Sequence, residues 1–504
     1  MATTSLPEVH DGGKTPIVTE KDDIGLQFIA QHGWTTYTPE EERKVKWKLD
    51  LHMMPILMIT YMLQYLDKVT LGYAAVYTLR TDLHLVGQQY SWCSSMFYFG
   101  YLVGQIPANY LLQRFPIGKF AATNLLIWGA LVMLCSVSHS FAGLATIRFL
   151  MGFFESGISP AWTHITSMFY TKGEQGARCT TWFAMNGVGT IIGGFLSYGM
   201  GHTHSAVHQW QLVFLLCGAI TIAWAVVVFF FLPDSPTSAK FLTEREKSIA
   251  VERLRDNRTG VKNTVFKVSQ AIEAFKDPQV WIFAVGLGVS SIGNVGGSFL
   301  PIIIKDLGFS GLQSTLLNIP SGGFEIVSMI IAGLASSLFG GKGRTLIMFA
   351  ITAPTLVGCI FLAALPRSDK WVRIVGAWLL LCTPAATALQ LSLIGSNVAG
   401  FSKKVTTTAY TFILYCVGNI ISPQLFKSNE APGYGTAMRT LVASTSTMMF
   451  LYLMLFFYYK YENNRRDKIL AQTSQDVIDA TTVENEEYFD RTDMEDFLKF
   501  RYAW

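Results

Sequence analysis

Residues 148–162 read "RFLMGFFESGISPAW", an apolar run interrupted by an arginine and, seven residues on, by a glutamate. Whether this run sits in a soluble core or in a membrane-crossing helix decides the fold, and its surroundings make the choice. The chain has 504 residues, 50% of them hydrophobic and only 15% charged, against about 25% charged in ordinary soluble domains. Apolar stretches of about 20 residues recur along it, each long enough to cross a hydrocarbon core of roughly 30 Å as a helix. Twelve begin near residues 52, 89, 120, 141, 178, 210, 279, 313, 345, 371, 405 and 436, mostly separated by short polar turns such as "QRFPIGK", "TKGEQGAR" and "FGGKGR". The pattern predicts an all-α membrane protein with twelve transmembrane helices, residues 148–162 lying in the fourth.

That spacing leaves no room for a large globular domain. No phosphate-binding loop and no catalytic-triad spacing is present, so neither an enzyme nor a bound cofactor is expected. All seven cysteines (Cys93, Cys135, Cys179, Cys217, Cys359, Cys382, Cys416) fall in or beside apolar stretches without CxxC spacing, which argues against a disulfide framework or a zinc ribbon. The net charge of +4 is small and its basic residues are scattered, so nucleic acid is not an expected partner. Orientation follows from Lys and Arg near the span ends. With the N-terminus inside, the inner side collects Lys44, Lys46, Arg114, Lys119, Arg178, Arg344, Lys403, Arg466 and others, while the outer side has only Arg80, Lys305, Arg367, Lys370, Arg373, Lys427 and Arg439. Both termini are expected in the cytosol, in a monomeric, multi-pass protein of the plasma membrane. The first 49 residues lack the apolar core and cleavage site of a secretory signal. The sequon Asn257-Arg258-Thr259 falls on the inner side, where glycosylation is not expected.

One long connector, residues 233–277, divides the chain. The expected organisation is a cytosolic tail (1–49), a six-helix bundle (50–232), a cytosolic linker (233–277), a second six-helix bundle (278–460) and a cytosolic tail (461–504). Within the linker, Thr243 followed by Glu246 is a capping-box pattern that predicts a short surface helix. The final tail contains "TVENEEYFDRTDMEDF" and reads as mostly disordered. "NYLLQRFPIGK" after the second span and "GLASSLFGGKGR" after the eighth occupy corresponding places and end in basic turns. Paired halves are how many secondary transporters are built, with the substrate site between them near the midplane.

"NYLLQRFPIGK" resembles the signature loop between spans two and three of the major facilitator superfamily. Gln113 stands where that superfamily has an acidic residue and Pro116 where it has glycine, while Arg114 and Lys119 are kept. Further stretches, "YLDKVTLGYA", "RFLMGFFESGISP", "LPDSPTSAKFLTEREK" and "GNIISPQLF", resemble the anion:cation symporter family. "GQQYSWCSSMFYFGYLVGQIPANYLL" and "LLNIPSGGFEIV" are similar to its fungal branch of allantoate and nicotinate permease-like carriers. The likeness runs from about residue 50 to 460. It implies the major facilitator fold, two six-helix bundles that rock about a central site.

Five ionisable residues lie inside the apolar spans: Asp67, Lys68, Arg148, Glu155 and Glu325. A charge near the bilayer centre costs roughly 2.5 to 3.5 kcal/mol on insertion scales, so such residues face a partner or a wet cavity. Seven residues are nearly two helical turns, which puts Arg148 and Glu155 on one face about 10 Å apart along the axis. Counting along spans one and four places Asp67 and Arg148 at similar depth. A guanidinium grips a carboxylate with a bidentate fork, and a carboxyl in a low-dielectric cavity is able to carry a proton. In sugar-acid and vesicular organic-anion members of the resembled family, the residues matching Asp67, Lys68, Arg148 and Glu155 serve proton coupling and carboxylate binding. The resemblance implies those roles here, with Lys68 in place of the commoner arginine and therefore without its fork.

Structural roles stand beside these. Arg148 also suits anchoring two helices through Asp67, and Glu155 buried packing, though for both the transport role is preferred; Glu325 stands even between coupling and structure, Asn186 and Asn419 suit gluing helices as well as lining a cavity, and Gln390 is a weaker cavity candidate. Asn294 and Asn397 are weaker candidates of the same kind. His202, His204 and His208 have metal-like spacing but read equally as an exposed polar loop, and no metal site is expected. Span five lacks the glycine-proline pair of many antiporters in the superfamily, which leans toward symport. The expectation is a proton-coupled symporter that brings a small organic anion, a carboxylate, into the cell, with Lys68, Arg148, Asn186, Gln390 and Asn419 touching substrate and Asp67, Glu155 and Glu325 exchanging protons. An efflux carrier and a non-transporting nutrient sensor are the alternatives.

Overall fold

In hydrocarbon a backbone must satisfy its own N–H and C=O groups, so each apolar stretch closes into a helix. The computed structural model describes residues 37–203, 205–254, 267–294, 298–339, 343–472, 492–495, 497 and 500–504. The helices follow one another as span 1 (Pro39–Ala75), span 2 (Gln89–Arg114), span 3 (Ile117–Cys135), span 4 (Phe141–Glu155 and Ile158–Phe169), span 5 (Lys172–Phe183 and Met185–Gly201) and span 6 (Gln209–Phe231). Then come span 7 (Pro278–Ile292 and Leu300–Asp306), span 8 (Gly311–Leu317 and Ile319–Leu338), span 9 (Arg344–Ala364), span 10 (Lys370–Leu379 and Thr383–Asn397), span 11 (Phe401–Gln424) and span 12 (Gly435–Gln472). Eight of these, spans 3, 4, 6 and 8 to 12, are long and apolar enough to cross a membrane by length and composition. The other four are diluted by polar residues or interrupted: Asp67 and Lys68 in span 1, serines and glutamines in span 2, glycines and Asn186 in span 5, and a break after Ile292 in span 7.

The interruptions in spans 4, 8 and 10 share a cause. A proline follows each break by a few residues, Pro160 after Gly157, Pro320 after Asn318 and Pro384 after Cys382. Lacking an N–H, it cannot donate to the carbonyl four residues back, so the preceding helix ends there. These breaks put irregular backbone where the functional side chains lie.

Packing repeats between the halves. Span 1 lies on spans 5 and 6, span 2 on 4, and span 3 on 4 and 6; adding six to every number gives 7 on 11 and 12, 8 on 10, and 9 on 10 and 12. Each bundle therefore has the same internal pairing. The bundles meet along span 2 against span 11 and span 5 against span 8. At the second crossing the backbones approach through bare glycines, since a methyl on Gly187 would meet the Gly322 carbonyl oxygen at 2.5 Å.

Among the described residues, the hydrogen bonds that join the two bundles gather at the end where span 1 finishes. Tyr90 donates to the Ser298 carbonyl at 2.8 Å, Asn318 to the Tyr73 hydroxyl at 2.9 Å, Gln424 to the Ser95 hydroxyl at 2.9 Å, and Lys305 to the Val76 carbonyl at 2.6 Å. This row seals one end of the molecule.

At the opposite end, charge ties the connecting segments down. The expected linker helix forms over Glu244–Glu252, with the Thr243–Glu246 capping box in place. It docks on span 1 through Lys48 to Glu246 at 2.7 Å and Arg245 to Glu41 at 2.8 Å. The Arg253 side chain is fully buried between Glu42 at 3.1 Å and Glu174 at 2.7 Å. Asp234 of "LPDSP" accepts from the Gly118 N–H at 2.9 Å, which joins that stretch to the "NYLLQRFPIGK" loop. The sequon at Asn257 and the central His204 lie outside the described residues.

The final tail departs from expectation. Its described part, residues 492–495, 497 and 500–504, is not free in solution but packs across the ends of spans 7, 9, 10, 11 and 12. The Lys403 ammonium, wholly buried, reaches Asp277 at 2.7 Å, Asp493 at 2.8 Å and Glu273 at 3.0 Å. Asp493 also accepts from the Tyr502 hydroxyl at 2.7 Å. Arg466 donates to the carbonyls of Asp493 and Phe500, both at 3.1 Å. Asn397 exchanges hydrogen bonds with Ala503 at 2.7 and 2.8 Å, and the Arg344 N–H donates to the Trp504 carbonyl at 3.0 Å. A charged composition suggested a solvated segment; these buried partners, spread over the second half of the chain, hold its end as a strap.

Candidate functional site

Between the bundles lies a cavity with an empty volume of about 950 Å³. Its first-bundle wall is built by Gln64, Tyr65, Lys68, Tyr98 and Asn186, its second-bundle wall by Ser290, Asn294, Glu325, Thr387 and Tyr415. Three of these lie on or near helix breaks: Asn294 just past the end of the first part of span 7, Asn186 at the start of the second part of span 5, and Thr387 one turn past the break in span 10.

Span 4 presents Leu144, Ala145, Arg148, Met151, Gly152 and Glu155 as its buried side, so Arg148 and Glu155 do share a face. Their partners are not each other. Glu155, at the last turn before the break, pairs with Lys68 of span 1 at 2.8 Å and accepts from Gln64 at 3.0 Å through the same oxygen, Oε1. Its Oε2 is buried without a partner. Gln64 and Lys68 are one helical turn apart, which brings both to one carboxylate. Lys68 keeps about a fifth of its side chain exposed toward the cavity and lies 5.8 Å from the centre of the Phe97 ring and 6.0 Å from that of Tyr101.

Among the described residues Arg148 makes no ion pair. Its guanidinium sits 4.9 Å over the Phe97 ring, and Nε and Nη1 are buried without hydrogen-bond partners. It acts on Asp67 and Glu155 through space only. Asp67 accepts instead from the Thr221 hydroxyl of span 6 at 3.0 Å, and its other oxygen has no partner. The anchor between Asp67 and Arg148 that depth suggested is therefore absent, because span 6 supplies a closer donor. Phe97 stands beside both cations, and Arg148, unlike Lys68, is not among the residues that line the cavity.

Glu325 and Asn186 face the cavity, where the Asn186 amide acts on the Glu325 carboxyl and, among the described residues, no other polar side chain reaches its two buried oxygens. Asn419 does not line it but accepts from Asn294, which does, at 3.3 Å. Gln390 is turned into packing: it donates to the Phe283 carbonyl at 2.6 Å and accepts from Tyr452 at 3.4 Å, joining spans 10, 7 and 12. Among the described residues no group of His, Cys, Asp and Glu is arranged to hold a metal; His208 contacts Asp82 at 3.3 Å and His202 its own helix.

A twelve-span chain with two equivalent bundles around a central cavity carries the architecture of a known group, and the Major Facilitator Superfamily profile matches residues 57–423. The chain belongs to the major facilitator superfamily. It is 44% identical over 483 residues to an uncharacterized transporter of Schizosaccharomyces pombe, covering 96% of this chain and 91% of that one. To the allantoate permease of Saccharomyces cerevisiae it is 34% identical over 505 residues, 97% and 92% of the two chains. Of solved structures, a D-xylose-proton symporter superposes with a TM-score of 0.60 at 13% identity, over 79% of this chain and 97% of its own. That likeness is one of fold. Among facilitators, this one is a membrane transporter of fungal permease type, with a site that sequence reading found only in part. Gln64 was missed although its spacing to Lys68 marks it, whereas Phe97 gives no signal at all in an apolar span.

Proposed function

We propose that this facilitator is a proton-coupled symporter that brings a small organic anion, a carboxylate of vitamin or nitrogen-source type, into the cell. The observation that carries the reading is the Lys68–Glu155 pair at 2.8 Å on the cavity wall. In a low dielectric a lysine and a glutamate hold each other as a neutral unit, and either is costly alone. A proton on Glu155 frees the Lys68 ammonium for a substrate carboxylate; loss of the proton restores the pair and expels the anion. Proton and anion thus enter and leave together, and the buried charge never changes.

The rest of the wall suits a small polar acid. Gln64, Asn186 and Asn294 offer amides, Tyr65 and Tyr98 hydroxyls on apolar rings, and Glu325 a second proton acceptor opposite Lys68. Kinship with an allantoate permease agrees with a carboxylate. With both termini in the cytosol, the sealed end faces outward, and the structure is the inward-facing state of an alternating-access cycle.

The test is Glu155→Gln, which keeps the shape and the Gln64 contact but cannot be ionised. Accumulation driven by an imposed pH gradient is expected to fail while exchange of labelled for unlabelled substrate across the membrane continues. Retained accumulation removes Glu155 from coupling. The substrate comes from growth of a carrier-deficient fungus, with this chain restored, on a panel of vitamin and nitrogen-source anions.

A further inference from the structure

Three of the seven basic residues assigned to the outer side converge on one place. Arg367 follows span 9, Arg373 lies on the first turns of span 10 and Arg439 on those of span 12; together they line a second cavity, at the sealed end and remote from the central one. Its other walls are apolar, chiefly Leu362, Leu365 and Met438.

Glu430 acts on Arg439 and Asp306 on Arg367 as opposite charges, whereas Arg373 has no acidic neighbour of its own among the described residues. Arg373 is only 6% exposed, yet its sole hydrogen bond is to the Leu362 carbonyl at 3.0 Å, and its Nε is buried with no partner. Arg439 bonds only the Gly435 carbonyl, at 3.1 Å, and Arg367 has no hydrogen bond among the described residues. Arg367 acts on Arg373 as a like charge. The nearby Glu430 is engaged by Thr436 through both oxygens. The Arg367 guanidinium lies directly over Gly433, with Nη2 2.6 Å from where a methyl on it would sit. Guanidiniums brought together against apolar walls, one of them buried with an unused N–H, repel each other unless an anion lies between them.

We propose that this pocket binds a phosphate group, either that of an anionic lipid or inorganic phosphate. A carboxylate presents its two oxygens in one plane, whereas a tetrahedral phosphate, free or in a lipid headgroup, presents oxygens in several directions to guanidiniums that come from three separate segments. Trp371, two-thirds exposed on the first turn of span 10, fits the level of lipid headgroups at this end of the molecule, where Trp is enriched.

The full chain, reconstituted in phosphatidylcholine nanodiscs, tests this by its thermal unfolding midpoint. One arm adds phosphatidylglycerol to the discs; a second titrates inorganic phosphate against chloride at matched ionic strength. Saturable stabilisation by phosphate assigns a free anion; stabilisation by phosphatidylglycerol alone assigns a headgroup. In Arg367→Gln/Arg439→Gln the half-effect concentration is expected to rise at least about tenfold. Should the double variant fail to fold, Arg367→Gln alone, an exposed side chain with no hydrogen bond to lose, is expected to shift in the same sense. No stabilisation in either arm, or a response equal in wild type and variant, overturns the proposal.

Discussion

At the scale of single residues, the site turns on which cation a carboxylate meets. Spacing along span 4 put Arg148 and Glu155 on one face, and that was legible from sequence because helix geometry fixes it. The rotation of span 1 about its axis is fixed by no local rule, so the sequence could not reveal that Lys68 reaches Glu155 first, or that Thr221 takes Asp67. Arg148 is left with an aromatic face, an interaction worth about 0.5 to 2 kcal/mol, which does not offset the several kcal/mol that taking its charge out of water costs. A buried guanidinium with two unused N–H groups is suited to a changing partner in another conformation. Arg148→Ala is accordingly expected to abolish uptake while the protein still reaches the membrane at wild-type abundance, as measured by transport assay beside surface labelling. Uptake within about twofold of wild type removes Arg148 from the cycle.

Among elements, the strap is what composition concealed. Asp493, within "TVENEEYFDRTDMEDF", looks solvated because its partners, Lys403 and Arg466, lie on other elements of the chain. Only the fold brings them together. Lys403 compensates two fully buried carboxylates, Asp277 and Asp493. Lys403→Met should therefore cost about 3 to 5 kcal/mol, the usual penalty for stranding a buried partner. Asp493→Asn, which leaves Lys403 with Asp277 and Glu273, should cost clearly less. Thermal unfolding in detergent orders the two, and equal losses would mean that the strap, rather than the lysine, carries the stability. The linker helix shows the converse: its capping box is local, so Thr243 and Glu246 announced it from sequence alone.

For the whole molecule, twelve spans and two halves were readable because hydropathy and span count report on the bilayer directly. The conformation was not, since the contacts that define it, from Tyr90 to Ser298 or Asn318 to Tyr73, pair residues more than 200 positions apart. These contacts have a kinetic consequence. A carrier that rests sealed toward the outside shows external substrate only the small fraction of molecules that have turned, and its apparent affinity is weakened by that fraction. Tyr90→Phe removes one seal hydrogen bond, worth about 0.5 to 1.5 kcal/mol. It is expected to lower the KM for uptake roughly two- to tenfold without touching the cavity. A raised KM would place the seal on the cytosolic face instead. Selection for a better scavenger thus need not alter the binding pocket; it can act on the latch.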